Sequence, residues 1–295
     1  MICFADWEMR GELAEIWASC FHEPVRPAKY FLNNYYKPEN CLVYKMGEKT
    51  ASVVYLLPAR LLAGPAAVQA HYIYAAATLP QYRGHGCMAA LLAAAALVGA
   101  NRGDQYSVVL PAEPGLYGLY EKSDYTKFFQ VGTVSLSLEE MCSLADSGVS
   151  ARTLLTYGQM NGLRREKLAG RTGSVLWSDE AFAFAAGMGK IYGDRMICSR
   201  TGEKFAYALC RRTDSDACAV LELMADGDTI RDLAANIISG LPAERYTFRL
   251  PVWEPLLGKQ GEISDFGMLK PLGGAAALDS VRQASAAPYL GLPLD

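Results

Sequence analysis

One order of elements occurs twice along this chain: two helices, three strands, a helix and a strand. In the first pass, Asp6 is placed to cap a helix running to about Phe21, with Trp7, Leu13, Ile16 and Trp17 on its apolar face. A second helix is expected from Pro27 to about Tyr36. Cys41 to Met46 and Thr50 to Leu57 read as a hairpin around Gly47-Glu48, and Val68 to Thr78 as a longer strand. The loop Gln81 to Gly86 leads into an Ala/Leu helix ending near Asn101. Tyr106 to Leu110 then reads as a buried strand, Gly115 to Lys122 as a short helix and Lys127 to Leu138 as a last strand. In the second pass, helices are expected over about Ala151 to Leu168 and Asp179 to Tyr192. Strands follow at Arg195 to Ser199, Lys204 to Arg211 and Ala217 to Leu223. A helix from Thr229 to Ile238 and strands at Tyr246 to Leu250 and near Phe266 to Leu269 complete the repeat. Even the first hairpin turn recurs, as Gly47-Glu48-Lys49 and Gly202-Glu203-Lys204. Such a chain is α/β (α+β), with two mixed sheets flanked by helices. The expected domains are about 1–140 and 150–295, joined through about Ser137 to Val149.

Composition narrows the partners. The chain has 295 residues, 51% of them hydrophobic, 20% charged, and a net charge of −3. That is enough for two cores and excludes disorder. The slightly acidic balance and the absence of a basic block argue against a nucleic acid or an anionic membrane as partner. Met88 to Ala100, the longest apolar run, is shorter than a membrane span and is broken by Gly99. The N-terminal segment does not read as a signal peptide. Eight cysteines are scattered with no CxxC pair and no metal-type cluster with the three histidines. A cytoplasmic protein with free thiols and no metal is therefore expected.

The chemistry concentrates in Tyr72 to Leu92, a strand, a loop and a helix start. The first N–H groups of a helix lack backbone partners and carry partial positive charge, so they suit a phosphate. Gly84 and Gly86 remove side chains that would block its approach. Gln81-Tyr82-Arg83-Gly84-His85-Gly86 resembles the Q/R-x-x-G-x-G/A loop of the GNAT superfamily of N-acetyltransferases, within the order of elements of that family. A second segment, Leu119-Tyr120-Glu121-Lys122-Ser123-Asp124-Tyr125, resembles the family's Y-x-K-x-G-F/Y helix. Asp124 stands where glycine is usual, and Asp tolerates the left-handed turn better than most residues.

The resemblance implies direct transfer of an acetyl group from acetyl-CoA, a co-substrate, to a primary amine of a small molecule or peptide. By position, the CoA site would comprise Gln81, Arg83, Gly84, His85, Gly86, Cys87 and Met88 around the pyrophosphate. Ala76, Ala77 and Thr78 would lie along the pantetheine, with a backbone N–H near Ala77 facing the thioester oxygen. Tyr120 would return a proton to the leaving sulfur. Glu113 is the first choice for a base and His71 a weaker one; Glu113 reads equally as a solvated loop carboxylate. Asp226 and Asp228 stand where a second phosphate loop would lie and would repel a pyrophosphate, so one CoA per chain is expected. The tandem plan resembles the Eis-like acetyltransferases, without room for their third, sterol-carrier-like domain. In that group the terminal carboxylate enters the active site, which makes Asp295 a candidate. Its tail, from Pro288, is apolar and suits packing as well. A CoA-binding scaffold without turnover and an acyltransferase with a longer donor remain as alternatives, and assembly into a homo-oligomer is left open.

Overall fold

The computed structural model describes residues 1–145, 153–273, 281 and 288–292. The chain opens with a short strand absent from the sequence reading, β1 (Ile2–Phe4), followed by α1 (Arg10–Phe21) and α2 (Val25–Asn34). Asp6 does not cap α1. Its Oδ1 accepts the N–H groups of Glu8 and Met9 at 2.9 Å each, forming a turn that delays the helix start to Arg10. Leu13, Ile16 and Trp17 are buried, whereas Trp7 lies outside the helix and is exposed.

Strands β2 (Cys41–Met46), β3 (Lys49–Ala63) and β4 (Ala66–Thr78) make an antiparallel meander. Helix α3 (Cys87–Asn101) carries the chain over to β5 (Tyr106–Val109), which runs parallel to β4. Helix α4 (Tyr117–Glu121) and strands β6 (Thr126–Lys127) and β7 (Gln130–Ser137) follow. The second pass comprises α5 (Leu138–Leu144), α6 (Tyr157–Leu168), β8 (Val175–Leu176), α7 (Asp179–Ile191), β9 (Arg195–Thr201), β10 (Lys204–Asp214), β11 (Ala217–Met224), α8 (Ile230–Gly240), β12 (Arg245–Leu250), β13 (Glu262–Asp265) and β14 (Met268–Pro271). Its sheet repeats the first, with β9, β10 and β11 antiparallel and β12 parallel to β11. The fold is therefore mixed α/β, with two sheets of one plan.

The halves exchange strands. The first sheet runs β1-β2-β3-β4-β5-β14-β6, and the second runs β13-β7-β12-β11-β10-β9. Strand β7, read as the last strand of the first pass, lies antiparallel to β12 of the second sheet, while β14 lies beside β5. The two crossing segments bond to each other. Phe128 and Phe129 donate their N–H groups to the Gly267 carbonyl at 3.1 and 3.2 Å, and the Phe266 N–H donates to the Phe129 carbonyl at 2.8 Å. Gly267 has φ +129°, and a Cβ there would lie 2.9 Å from Leu290 and 3.2 Å from Phe129. Sheet membership therefore does not change over at residues 140–150. Alternation of apolar residues marks Gln130 to Ser137 as a strand but does not choose its neighbour.

Packing joins the halves further. Phe184 of α7 stacks on Tyr35 at 4.6 Å and meets Phe31 of α2 at 5.7 Å. Arg164 of α6, wholly buried, pairs with Glu222 of β11 at 3.0 Å and donates to the carbonyls of Val175 and Leu290. Tyr207 donates to the other Glu222 oxygen at 3.0 Å. The apolar tail threads this network: the Leu292 N–H donates to Glu222, and the Trp177 indole N–H donates to the Leu292 carbonyl at 2.9 Å. The buried charges thus have partners on every side. Tyr289, Leu290 and Leu292 are packing residues, and Asp295 lies outside the described residues. Among the described residues, no helix is long and apolar enough to cross a membrane, and no group of side chains has the makings of a metal site.

Candidate active site

The turn after β4 begins with Pro80–Tyr82, one turn of 3-10 helix. Gly84 and Gly86 both adopt left-handed backbone, with φ +80° and +75°, which a side chain at either position would strain. Gly86 is the residue at the N-terminal boundary of α3 and has no side chain to cap it. Its carbonyl accepts the Ala90 N–H, so the N–H groups of Cys87, Met88 and Ala89 precede the first intrahelical bond. A Cβ placed at Gly84 or Gly86 would meet nothing within 4 Å, so the approach to the loop is open. Gln81, Arg83 and His85 are exposed around it, whereas Cys87 is buried beneath. The Arg83 Nε donates to the Thr78 carbonyl at 3.1 Å, which ties the loop to the end of β4. Burial pushes the neighbouring Cys20 thiol up, and the Arg83 guanidinium partly offsets this. An uncapped helix start behind two left-handed glycines fits a pyrophosphate.

The same strand opens a cavity. Pairing of β4 with β5 ends at Ile73 and Val109. Just beyond, the register with β3 shifts and Ala75 takes φ +44°, an uncommon value for a residue with a Cβ. The strands then part around a cavity of about 390 Å³. Tyr74, Ala75 and Ala76 line one wall and Leu110, Ala112 and Tyr120 the other. Tyr120 is buried, its ring edge-on to Tyr125 at 5.7 Å, and the Tyr125 hydroxyl bonds Ser107 at 2.6 Å. Asp124 adopts φ +64°, so the turn expected of glycine is made by aspartate. Lys270 of β14 steadies it, donating to the Ser123 carbonyl at 2.9 Å and lying 3.4 Å from Asp124.

Ala76 and Tyr120 thus meet at one cavity, but other expected residues lie elsewhere. Ala77 stands opposite Val53, and its carbonyl accepts the Ser52 hydroxyl at 2.8 Å. Glu113 is exposed ahead of a 3-10 turn and is not in the cavity lining. His71 is buried in the middle of β4, where its Nδ1 bonds Asp104 at 2.8 Å, and it is not in the cavity lining.

The lining residues that the sequence reading missed include Glu23, Tyr192 and Arg211. Glu23 sits in the connection between α1 and α2. Its Oε2 accepts the Trp17 indole N–H at 3.2 Å and the Tyr192 hydroxyl at 2.9 Å. Arg211 of β10 grips the buried Asp194 with two nitrogens, at 2.5 and 3.0 Å. The only sequence signal for Glu23 was an acid beside Pro24 at the end of a Trp/Phe-bearing helix. Nothing local marks Tyr192 or Arg211.

A model of the acetyltransferase (GNAT) domain matches residues 8–126. Residues 8–126 are a GNAT acetyltransferase domain. This GNAT domain holds the glycine loop, the β4 bulge and Tyr120. No curated protein matches the chain significantly. Solved structures extend the likeness beyond the GNAT domain. Eis1 from Mycobacterium abscessus superposes with a TM-score of 0.69 at 14% identity, over 92% of this chain and 74% of that one. A GCN5-related N-acetyltransferase from Anabaena variabilis gives a TM-score of 0.75 at 17% identity, over 92% and 72%. A probable N-acyltransferase from Enterococcus faecalis gives 0.73 at 14% identity, over 92% and 72%. At such identities the likeness is one of fold.

Proposed function

We propose that this chain is an acetyl-CoA-dependent N-acetyltransferase acting on a primary amine, with one active half. The observation that carries this reading is the position of β4. Its end runs into the uncapped start of α3, and its bulge opens the cavity that holds Tyr120. One strand thereby joins an anion cradle to a buried acid. Acetyl-CoA supplies a thioester, an acyl group already activated for attack. The first-turn N–H groups of α3, left open to approach by Gly84 and Gly86, hold its pyrophosphate, with Gln81, Arg83 and His85 beside it. Ala76 and Thr78 lie along the arm leading inward. The amine nitrogen, deprotonated, bonds to the acyl carbon as the carbon–sulfur bond breaks. Tyr120 passes its hydroxyl proton to sulfur, and the proton that the acylated nitrogen loses to water returns the tyrosinate to its neutral form.

The second half lacks a matching cradle. The Asp226 Oδ1 accepts the N–H groups of Asp228 and Thr229 at 3.0 and 2.9 Å, so the approach to α8 is filled by the chain's own carboxylate. The reading is that this half contributes walls to the acceptor site and binds no CoA. Calorimetry with CoA and a thiol-release assay with acetyl-CoA and a panel of amines test it together. One CoA per chain and amine-dependent thiol release are expected. Binding without release from any amine would favour a scaffold, and a stoichiometry of two would overturn the silent half. A higher rate with a longer acyl-CoA would reassign the donor.

A further inference from the structure

The charged and aromatic groups around the cavity specify an acceptor more narrowly than the amine chemistry does. Trp17, Phe21, Tyr74 and Tyr192 supply ring surface. Trp17 is fixed edge-on against Phe21 at 5.4 Å and Tyr74 at 5.5 Å, so the wall is rigid. Into this wall is set one carboxylate, Glu23, which is half-buried. Both of its described hydrogen bonds fall on Oε2 and come from opposite halves of the chain. Oε1 is left for a ligand. Arg211 also lines the cavity, but its guanidinium is engaged by Asp194, which is almost wholly buried, and lies 5.7 Å over the Tyr192 ring. Among the described lining residues Glu23 is the one carboxylate and Arg211 the one cation.

We propose that the cavity selects a monocation, a single ammonium on a compact apolar body, with the ammonium on Glu23 Oε1 and the body against the aromatic wall. The pairing is a charge-assisted hydrogen bond together with cation–π attraction, in a site partly screened from water. A polyamine or aminoglycoside is disfavoured, because one carboxylate beside a guanidinium cannot balance several ammonium groups. Tyr192 is a positioning residue, since its hydroxyl holds Oε2 and thereby orients Oε1. This deepens the acetyltransferase reading and rests on it for the orientation of acceptor towards donor.

The test is calorimetry on the full chain saturated with CoA, which reads acceptor binding without turnover. The probes are 2-phenylethylamine, its uncharged counterpart 2-phenylethanol, and spermidine. At neutral pH the amine should bind at least tenfold tighter than the alcohol and tighter than spermidine. Glu23→Gln should erase the amine-over-alcohol ratio with CoA affinity unchanged. Should that variant fail to fold, Tyr192→Phe provides the second reading: it should lower the ratio severalfold by removing one of the two bonds that hold Oε2, with alcohol binding unaltered. A merely structural role for either residue would weaken both probes alike. Equal binding of amine and alcohol, no binding of 2-phenylethylamine, tighter binding of spermidine, or a ratio that survives Glu23→Gln would each overturn the proposal. Those outcomes are separable from failure of the acetyltransferase reading, which loss of CoA binding, or absence of thiol release from every amine, would report.

Discussion

Tyr120 sits where a short helix, a left-handed aspartate and a lysine from β14 converge, so its ring position is set by several independent constraints. Replacing it with Phe keeps the packing against Tyr125 and removes only the hydroxyl. Turnover should fall by about 10²–10⁴ with CoA affinity nearly unchanged, as measured by thiol release alongside calorimetry. Near-normal turnover when chemistry is limiting would assign the proton to water. Gly86 makes a different demand. Its φ of +75° disfavours any Cβ, and the space above it is open. Gly86→Val should therefore weaken CoA binding tenfold or more, with near-ultraviolet circular dichroism showing the fold intact; an unchanged Kd would remove the loop from the site. Both positions were legible in the sequence because local spacing marks the loop and the short helix that place them. Glu23 was not, since its partners Trp17 and Tyr192 lie 6 and 169 residues away. The bulge in β4 was hidden for a related reason: the three-residue advance from Tyr74 to Ala77 faces a two-residue advance from Val53 to Tyr55, a mismatch that only the pairing with β3 reveals.

The two strand-to-helix connections have diverged at the element scale. In the first, glycine leaves the start of α3 uncapped. In the second, Asp226 fills the turn ahead of α8 and also faces Lys204 at 3.5 Å. Burial pushes the Asp226 carboxyl up, but bonds from Thr229 and Asp228 and the charge of Lys204 bring it net below the usual carboxylate range. A carboxyl lowered in the folded state contributes stability above its unfolded value, and that contribution is lost as the pH falls through the folded one. Asp226→Ala should therefore cost about 1 kcal/mol near neutral pH. Its difference from the parent should shrink below about pH 4, which chemical denaturation at two pH values would check. The tail is the other element with a clear task. Deleting Leu290 onward leaves the Trp177 indole and one Arg164 nitrogen without acceptors in a buried site. Each such loss costs about 1–3 kcal/mol, so the melting temperature should drop by several degrees. An unchanged melting temperature would show that the tail does not support the core. The tail's apolar character was readable, but its route through Arg164 and Glu222 depends on elements far apart in the chain.

For the whole molecule, the exchange of β7 and β14 makes each sheet incomplete without the other half. A fragment of residues 1–145 would carry β7 with no β12 to receive it and a β5 edge with no β14. Such a fragment should be insoluble or lack a cooperative transition, whereas the full chain should unfold in a single step. Two resolved transitions in calorimetry, or a soluble folded fragment, would contradict this. The order of elements predicted two sheets, because helix and strand periods are local. Which sheet owned the last strand of each half was hidden, because both sheets offer the same antiparallel vacancy and only the crossing at Phe128 and Gly267 decides it.

The exchange also bears on how the protein is made. On a ribosome, β5 emerges long before β14, and every residue from Leu110 to Gly267 must be added in between. At about 5–20 residues per second that interval is roughly 10–30 s. For all of it the nascent first half presents a bare, apolar β5 edge, and β7 waits for β12 in the same way. Such edges invite pairing with neighbouring chains. Yield in cells should therefore depend on trigger-type chaperones and on low temperature more steeply than the finished protein's stability would suggest.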